Sequence, residues 1–335
     1  MARPELTGLS PHRAVAGGRV RLALTGLDVE AVALPQIRIG EDTVRAAFAS
    51  PTSVAFVIPS GGASGHVPLR LDAVPGQSVF LEIGAPITTG VHQVDSPVVD
   101  AAGTIYATCS GSRGQQSSVS VYRIGADGVR DVFVTGLTNA TSMAFDPQGR
   151  LHVSSRFDGT VSRIDGEGRA ETIATELGVA CGLAFDPEGV LYVGDRSGTI
   201  FRLSHSGHAT PFASLPPSVA AYHLAWHAAD AALYVTGPTI STRDRVYRIG
   251  RQGDIRTVYE GFGRPQGLAV DTDGSLLVAE ALAGASGIYR VRLGRGEPAS
   301  AEPELVVSGP ALVGVAVHPA GGYVVATADG IYRCY

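Results

Sequence analysis

Short apolar runs and turn residues recur along most of this chain with one period. Two or three apolar residues lead into Asp or His, then two residues, then Gly. The copies are Asp100-Ala-Ala-Gly103, Asp146-Pro-Gln-Gly149, Asp186-Pro-Glu-Gly189, Asp271-Thr-Asp-Gly274 and His318-Pro-Ala-Gly321, with a weaker one at His227-Ala-Ala-Asp230. They are spaced 40 to 47 residues apart. An apolar run follows each copy, as in Leu151-His152-Val153 and Leu191-Tyr192-Val193. Next comes an apolar-x-Arg signature ending at Arg123, Arg163, Arg202, Arg248, Arg290 and Arg333. A fourth apolar stretch closes most copies, such as Val132-Phe133-Val134. Asp at the first position and Gly at the fourth suit a type I turn. Each unit is therefore expected to be four short strands in one twisted sheet. Such a sheet cannot cover both of its apolar faces alone, and radial stacking buries them.

The last copy reaches only its third strand at Tyr335, so its fourth strand must come from elsewhere. The segment 79–83 can supply it and close the ring, or it can be the final strand of whatever precedes the repeats. The second assignment is slightly preferred.

Residues 1–84 lack the repeat but alternate as strands do, at Val20-Leu22-Leu24, Ile37-Ile39, Val54-Phe56-Ile58 and Val67-Leu69-Leu71. Several short strands in this length predict a small β-sandwich. The expected fold class is thus all-β: an immunoglobulin-like sandwich over 1–84, then a six-bladed propeller over 85–335.

Composition narrows the functional classes. The chain has 335 residues, 43 of them Gly, and a net charge of −5 with both signs scattered. No basic block points to nucleic acid. No stretch of 18 apolar residues suggests a membrane span, and the first residues lack the apolar run of a signal peptide. Cys109, Cys181 and Cys334 are odd in number and far apart, so a reducing cytoplasm is expected rather than a disulfide framework.

Two resemblances follow from these residues. Leu9-Ser10-Pro11 with Gly17-Gly18, Val20-x-Leu22 and Gly26 resembles the start of an IPT/TIG domain. The run from Gly182 to Asp195, Gly-Leu-Ala-Phe-Asp-Pro-x-Gly-x-Leu-Tyr-Val-x-Asp, resembles the NHL-repeat and senescence-marker/gluconolactonase-like group of six-bladed propellers. The first implies an accessory immunoglobulin-like module, a possible docking surface for a protein partner. The second implies the propeller, and a hydrolase that holds a divalent metal (calcium or zinc) at one mouth of its channel. Fold alone does not fix activity.

In such a ring, equivalent positions of all units converge, so chemistry is read in columns. Just before the inner strands stand Asp95, Thr141, Cys181, Tyr222, Gln266 and Val313. After the second strands stand Cys109, Ser155, Asp195, Gly237 and Glu280, followed by Arg156 and Arg196. His92, Gln93, Asn139 and His223 lie close by, and Arg113 sits in a Gly-rich loop, 111–116. The units differ at these columns, and the differences are polar, as a small-molecule site on a repeating scaffold requires. The resemblance implies that Asp95, in Asp95-Ser96-Pro97, takes the place of a metal-binding Glu. At the family's other ligand places this chain has Thr141, Cys181, Tyr222 and Gln266, in place of Asn and Asp.

Two functions stay open. In one, a lactonase-like enzyme uses Asp95 and Glu280 as acid/base groups or metal ligands. His223 or a lowered-pKa Cys181 thiolate assists, and His92, Gln93, Arg113, Asn139, Arg156, Asp195, Arg196, Tyr222 and Gln266 bind substrate. In the other, the same mouth of a non-catalytic propeller binds a small ligand or a protein.

Overall fold

The computed structural model describes residues 3–28, 34–204, 206–294 and 302–335. Its regular elements are all β-strands, and among the described residues no helix is long and apolar enough to cross a membrane.

The repeats form four-stranded antiparallel meanders. Their first strands are Val98–Val99, Ala140–Phe145, Ala180–Phe185, His223–His227, Pro265–Val270 and Leu312–Val317. Each packs on the next, and Val98–Val99 also meets Leu312–Val317, so these inner strands surround a central channel. The turn chemistry explains the first hairpin of each unit. Gly149 N donates to Asp146 O at 2.9 Å, and the same bond joins Gly103 to Asp100, Gly189 to Asp186, Gly274 to Asp271 and Gly321 to His318. These five glycines have φ between 77° and 89°, a region that costs a side-chain-bearing residue energy. The weak copy departs by one residue. Its turn is closed by Ala231 N on Ala228 O, and Ala231 takes φ 46° despite its Cβ.

The recurring arginines hold strand edges. Arg163 pairs with Glu171, Arg248 with Asp230 and Arg290 with Asp271.

The last meander is completed by a strand from far upstream. Ala85–Thr89 pairs antiparallel with Gly330–Cys334, so the closing strand is Ala85–Thr89 and not 79–83. Val79–Ile83 instead pairs with Gly65–Leu71 and with Arg13–Ala14.

The first 84 residues supply two facing sheets. One has the order Glu5–Ser10, Arg19–Thr25, Ser53–Val57, Phe48–Ser50. The other contains Arg13–Ala14, Val79–Ile83, Gly65–Leu71, Gln36–Ile39 and Asp42–Arg45. Their inward residues share one core, with Leu22, Phe56, Ile37, Leu69 and Leu81 fully buried. Alternation of buried and exposed positions along Arg19–Thr25 shows why one face of each strand turns inward.

The second sheet does not stop at this core. Ala14 pairs in parallel with Ser308 of the fifth meander's outer strand, Glu304–Ser308. Val15 N donates to Ser308 O at 2.8 Å, and the Val15 side chain packs into the core between the fifth and last meanders. A Cβ on Gly84 would meet the Cys334 sulfur at 2.7 Å, so glycine permits this close approach.

Candidate functional site

At one end of the channel the loops enclose a cavity of about 560 Å³. His92, Gln93, Arg113, Asn139, Arg156, Arg196 and Gln266 line it, with Val94, Phe157, Val179, Ala220, Ala221 and Val313. Seven of the sequence-derived candidates thus meet in one place. A roomier groove of about 750 Å³ lies on the flank of the first two meanders, beside Tyr106 and Phe145. Its arginines Arg123, Arg150, Arg163 and Arg169 all face carboxylates, so its charges are already answered.

The mouth differs in that respect. Among the described residues, no carboxylate lies within ion-pair distance of Arg113, Arg156 or Arg196. Burial lowers the Arg156 pKa, and the nearby charges of Arg196 and Arg113 push it the same way, against the Cys181 sulfur. Guanidinium remains charged throughout the ordinary pH range. Three like charges thus converge without internal compensation, which favours an anion.

Below the mouth, two to four residues further along most inner strands, lies a second level. Gln93, Val179, Ala221, Gln266 and Val313 line the mouth, whereas Ser96, Leu183, Leu224, Leu268 and Val315 line a second cavity of about 320 Å³. This lower cavity is walled mostly by apolar side chains, including Met143, Phe185 and Trp226. Between the two levels lies a buried pair. His223 Nδ1 is 2.5 Å from Asp95 Oδ1, with both side chains almost fully enclosed. Ser96 N also donates to Asp95 Oδ1, and Gln93 Nε2 donates to the Asp95 carbonyl. The buried atoms His223 Nε2, Gln93 Oε1 and Ser110 Oγ have no hydrogen-bond partner among the described residues.

Several residues expected to bind substrate, or in the case of Glu280 to act as an acid/base group or metal ligand, hold main chain instead. Asn139 is buried at φ 50°, a left-handed conformation that asparagine tolerates. Its Oδ1 accepts from Gly114 N at 2.7 Å, and its Nδ2 donates to Ser110 O at 2.5 Å and Ser112 O at 2.9 Å. Its amide is therefore spent on the loop that carries Arg113. Asp195 accepts from Val179 N at 2.8 Å and from the Ser197 hydroxyl. Glu280 accepts from Gly263, Arg264 and Leu282 N–H groups at 2.7 to 2.9 Å. Burial raises the Glu280 pKa while these donors pull it down. In both meanders the carboxylate at the end of the second strand ties down the segment leading into the inner strand. That role explains a varied polar column without any ligand, and Glu280 stands outside both cavities' linings.

Tyr222 is likewise a core residue. Its ring packs with Tyr192 and Leu224 in the core of the third and fourth meanders, and its hydroxyl donates to Pro216 O. Cβ atoms on Gly194 or Gly237 would meet it at 2.9 and 2.8 Å. Cys181 is not the lowered-pKa thiolate that its position suggests. Burial and, second, the Asp95 charge push its thiol up to about 12, and it donates to Val179 O.

The residues present do not fit the divalent metal that the resemblance implies. No group of three or more His, Cys, Asp or Glu that could hold an ion occurs among the described residues. Asp95 is committed to His223 and Ser96, and hard cations want several oxygens.

Sequence columns missed the residues that let Asp95 cross toward His223. A Cβ on Gly314 would meet Ser96 Cα at 2.4 Å, and one on Gly267 would meet Ser96 Oγ at 2.5 Å. Glycines in inner strands, where a side chain would normally pack, were the available signal.

No family model and no curated protein matches this sequence. Solved structures do match. A gluconolactonase from Xanthomonas campestris is similar over 81% of this chain and 90% of its own, with a TM-score of 0.60 and 15% identity. An auxiliary nutrient binding protein from Bacteroides ovatus is similar over 100% and 98%, at 0.55 and 13%. A catalytically inactive His-to-Ala variant of virginiamycin B lyase from Staphylococcus aureus, solved with quinupristin, is similar over 99% and 98%, at 0.55 and 14%. The fold is a β-propeller. These neighbours are two enzymes and a binding protein, so the propeller is common to different activities.

Proposed function

We propose that this chain is a six-bladed propeller preceded by an immunoglobulin-like sandwich of the IPT/TIG kind, and that its channel mouth binds a small anionic molecule. The observation that carries the binding is the convergence of Arg113, Arg156 and Arg196 without a carboxylate partner on a cavity of small-molecule size. The cavity lies in the range usual for ligand sites, about 300–1,000 Å³. Calorimetric titration with acetate, gluconate and inorganic phosphate tests it. Binding by the native protein that weakens at least tenfold in Arg156→Gln/Arg196→Gln supports the reading. Equal binding by both proteins, or none by either, sinks it.

A second reading makes the same mouth a gluconolactonase-like hydrolase. It is favoured by His223, buried outside the mouth's lining, whose Nδ1 is fixed by Asp95 while its Nε2 has no partner among the described residues. Held so, a neutral imidazole has Nε2 as its basic atom and can take a proton from an attacking water. The proton would return to the alkoxide released when the lactone C–O bond breaks. Lactone hydrolysis that is abolished in His223→Gln and indifferent to added calcium, zinc or manganese supports it. Hydrolysis that needs one of those ions, or survives in His223→Gln, rejects it.

A further inference from the structure

The mouth is lined by the segments entering the inner strands and by a second kind of loop, the connection between the second and third strands of each meander, which brings its arginines. In the first three meanders these loops carry Arg113, Arg156 and Arg196. In the fourth, between Ala232–Thr236 and Asp244–Ile249, the loop carries Ile240, which is 94% exposed. In the fifth, between Leu276–Glu280 and Gly287–Val291, it carries exposed Leu282. Round the ring these loops carry, at differing positions, Arg, Arg, Arg, Ile and Leu, and the sixth, between Tyr323–Thr327 and Gly330–Cys334, carries exposed Ala328 and Asp329.

Ile240 and Leu282 stand outside the cavity's lining, and neighbouring chain joins the apolar side to it. Val219, also exposed, donates its N–H to Pro238 O, two residues before Ile240. Its neighbours Ala220 and Ala221 line the mouth, and Ser218 N donates to Arg196 O. Chain thus leads directly from a guanidinium-bearing loop to the apolar one. Leu282 follows Glu280, whose carboxylate fixes the segment leading to Gln266. Within the cavity Phe157 is 53% exposed beside Arg156. Side chains as apolar as Ile240 cost free energy when left in water, and a group of them on one functional rim marks a contact surface.

Resting on the anion reading above, we propose that the ligand is an amphipathic anion: a carboxylate head held by Arg156 and Arg196, with an apolar tail laid toward Val219, Ile240 and Leu282. Charge complementarity favours this occupant. The fourth loop also carries Arg243, and the segment leading into the fifth meander's inner strand carries Arg264, neither in an ion pair among the described residues. A cationic or neutral apolar molecule would have to desolvate or confront these charges. An alkyl carboxylate gains from both halves of the rim.

The test is a calorimetric series of acetate, hexanoate and decanoate, kept below micellar concentration, on the full chain. Decyltrimethylammonium serves as the opposite-charge control. Affinity is expected to rise about two- to fourfold per added methylene, so decanoate binds at least tenfold more tightly than hexanoate, while the cation does not bind. The exposed-rim variant Val219→Ser/Ile240→Ser/Leu282→Ser should lose that dependence on chain length yet bind acetate as the native protein does. Acetate binding with no gain along the series overturns this proposal and leaves the anion site standing. Chain-length dependence that persists in the rim variant, or equal binding of the cation, also overturns it. If no carboxylate binds, the anion reading falls and this one with it.

Discussion

His223 Nδ1 lies 2.5 Å from Asp95 Oδ1 although the two residues are 128 positions apart. Asp95 leads into the first meander and His223 opens the fourth, so the bond braces the ring across its channel. Removing one partner leaves the other buried without its bond, which costs far more than the net worth of the pair. Asp95→Ala is expected to lower stability by about 2–4 kcal/mol, and Asp95→Asn, which keeps an acceptor, by less. Urea unfolding monitored by fluorescence ranks the two; equal midpoints for Asp95→Ala and the native protein would contradict the brace.

The same brace depends on room for Ser96. Gly314→Ala places a methyl group against Ser96 main chain, where it cannot be moved aside cheaply. A loss of about 1–3 kcal/mol is expected. Gly166→Ala, where nothing lies within 4 Å of the added carbon, is the control and should fall within about 0.5 kcal/mol.

Asn139 holds the loop that carries Arg113, and glycine is the substitution that keeps its φ of 50° while deleting its amide. Asn139→Gly should cost about 1–3 kcal/mol. It should also open loop 110–116 to a protease that cleaves after arginine, with Arg113 the new site. A cleavage pattern unchanged from the native protein would show that the loop is held by other contacts.

Cys181 gives a pH dependence with a defined sign. In the unfolded chain its thiol ionises near the ordinary value of 9.0, and in the folded protein burial keeps the proton on until about pH 12. The folded state binds more protons between those limits, so stability falls as pH rises from about 9 to 12. Cys334, buried against the first sheets, adds a slope of the same sign. Melting temperatures of Cys181→Ala should decline less steeply over that window than those of the native protein. At pH 8 the native protein should also alkylate at half-buried Cys109 well before Cys181 or Cys334.

Much of the architecture was legible because it is local. Each Asp-x-x-Gly turn and the apolar run after it lie within a dozen residues, so periodicity alone exposes the meanders. The closing strand was not legible. Ala85-Pro86-Ile87-Thr88-Thr89 lacks the apolar alternation of Val79–Ile83 and becomes a strand because Gly330–Cys334 offers it an edge. The placing of Arg156 and Arg196 at one mouth followed from reading columns, and that of His92 and Arg113 from their neighbourhood to those columns and from a Gly-rich loop. The roles of Asn139, Asp195 and Glu280 did not, because a polar side chain near a turn reads the same whether it faces a ligand or a backbone N–H. The Asp95–His223 bond depends on how the whole ring closes, which no local pattern encodes.

The pairing of Ala85–Thr89 with Gly330–Cys334 also governs the order in which this protein can form. During synthesis the early strand leaves the ribosome before any of the meanders, yet its partner Gly330–Cys334 follows every other strand of the meanders. Local hairpins can zip as they emerge, but the final seam must wait for the far end of the repeats, so loop-closure entropy falls on one late step. Until then an unpaired edge is exposed, a template for another chain. A newly made molecule is thus most prone to wrong association just before its ring is sealed.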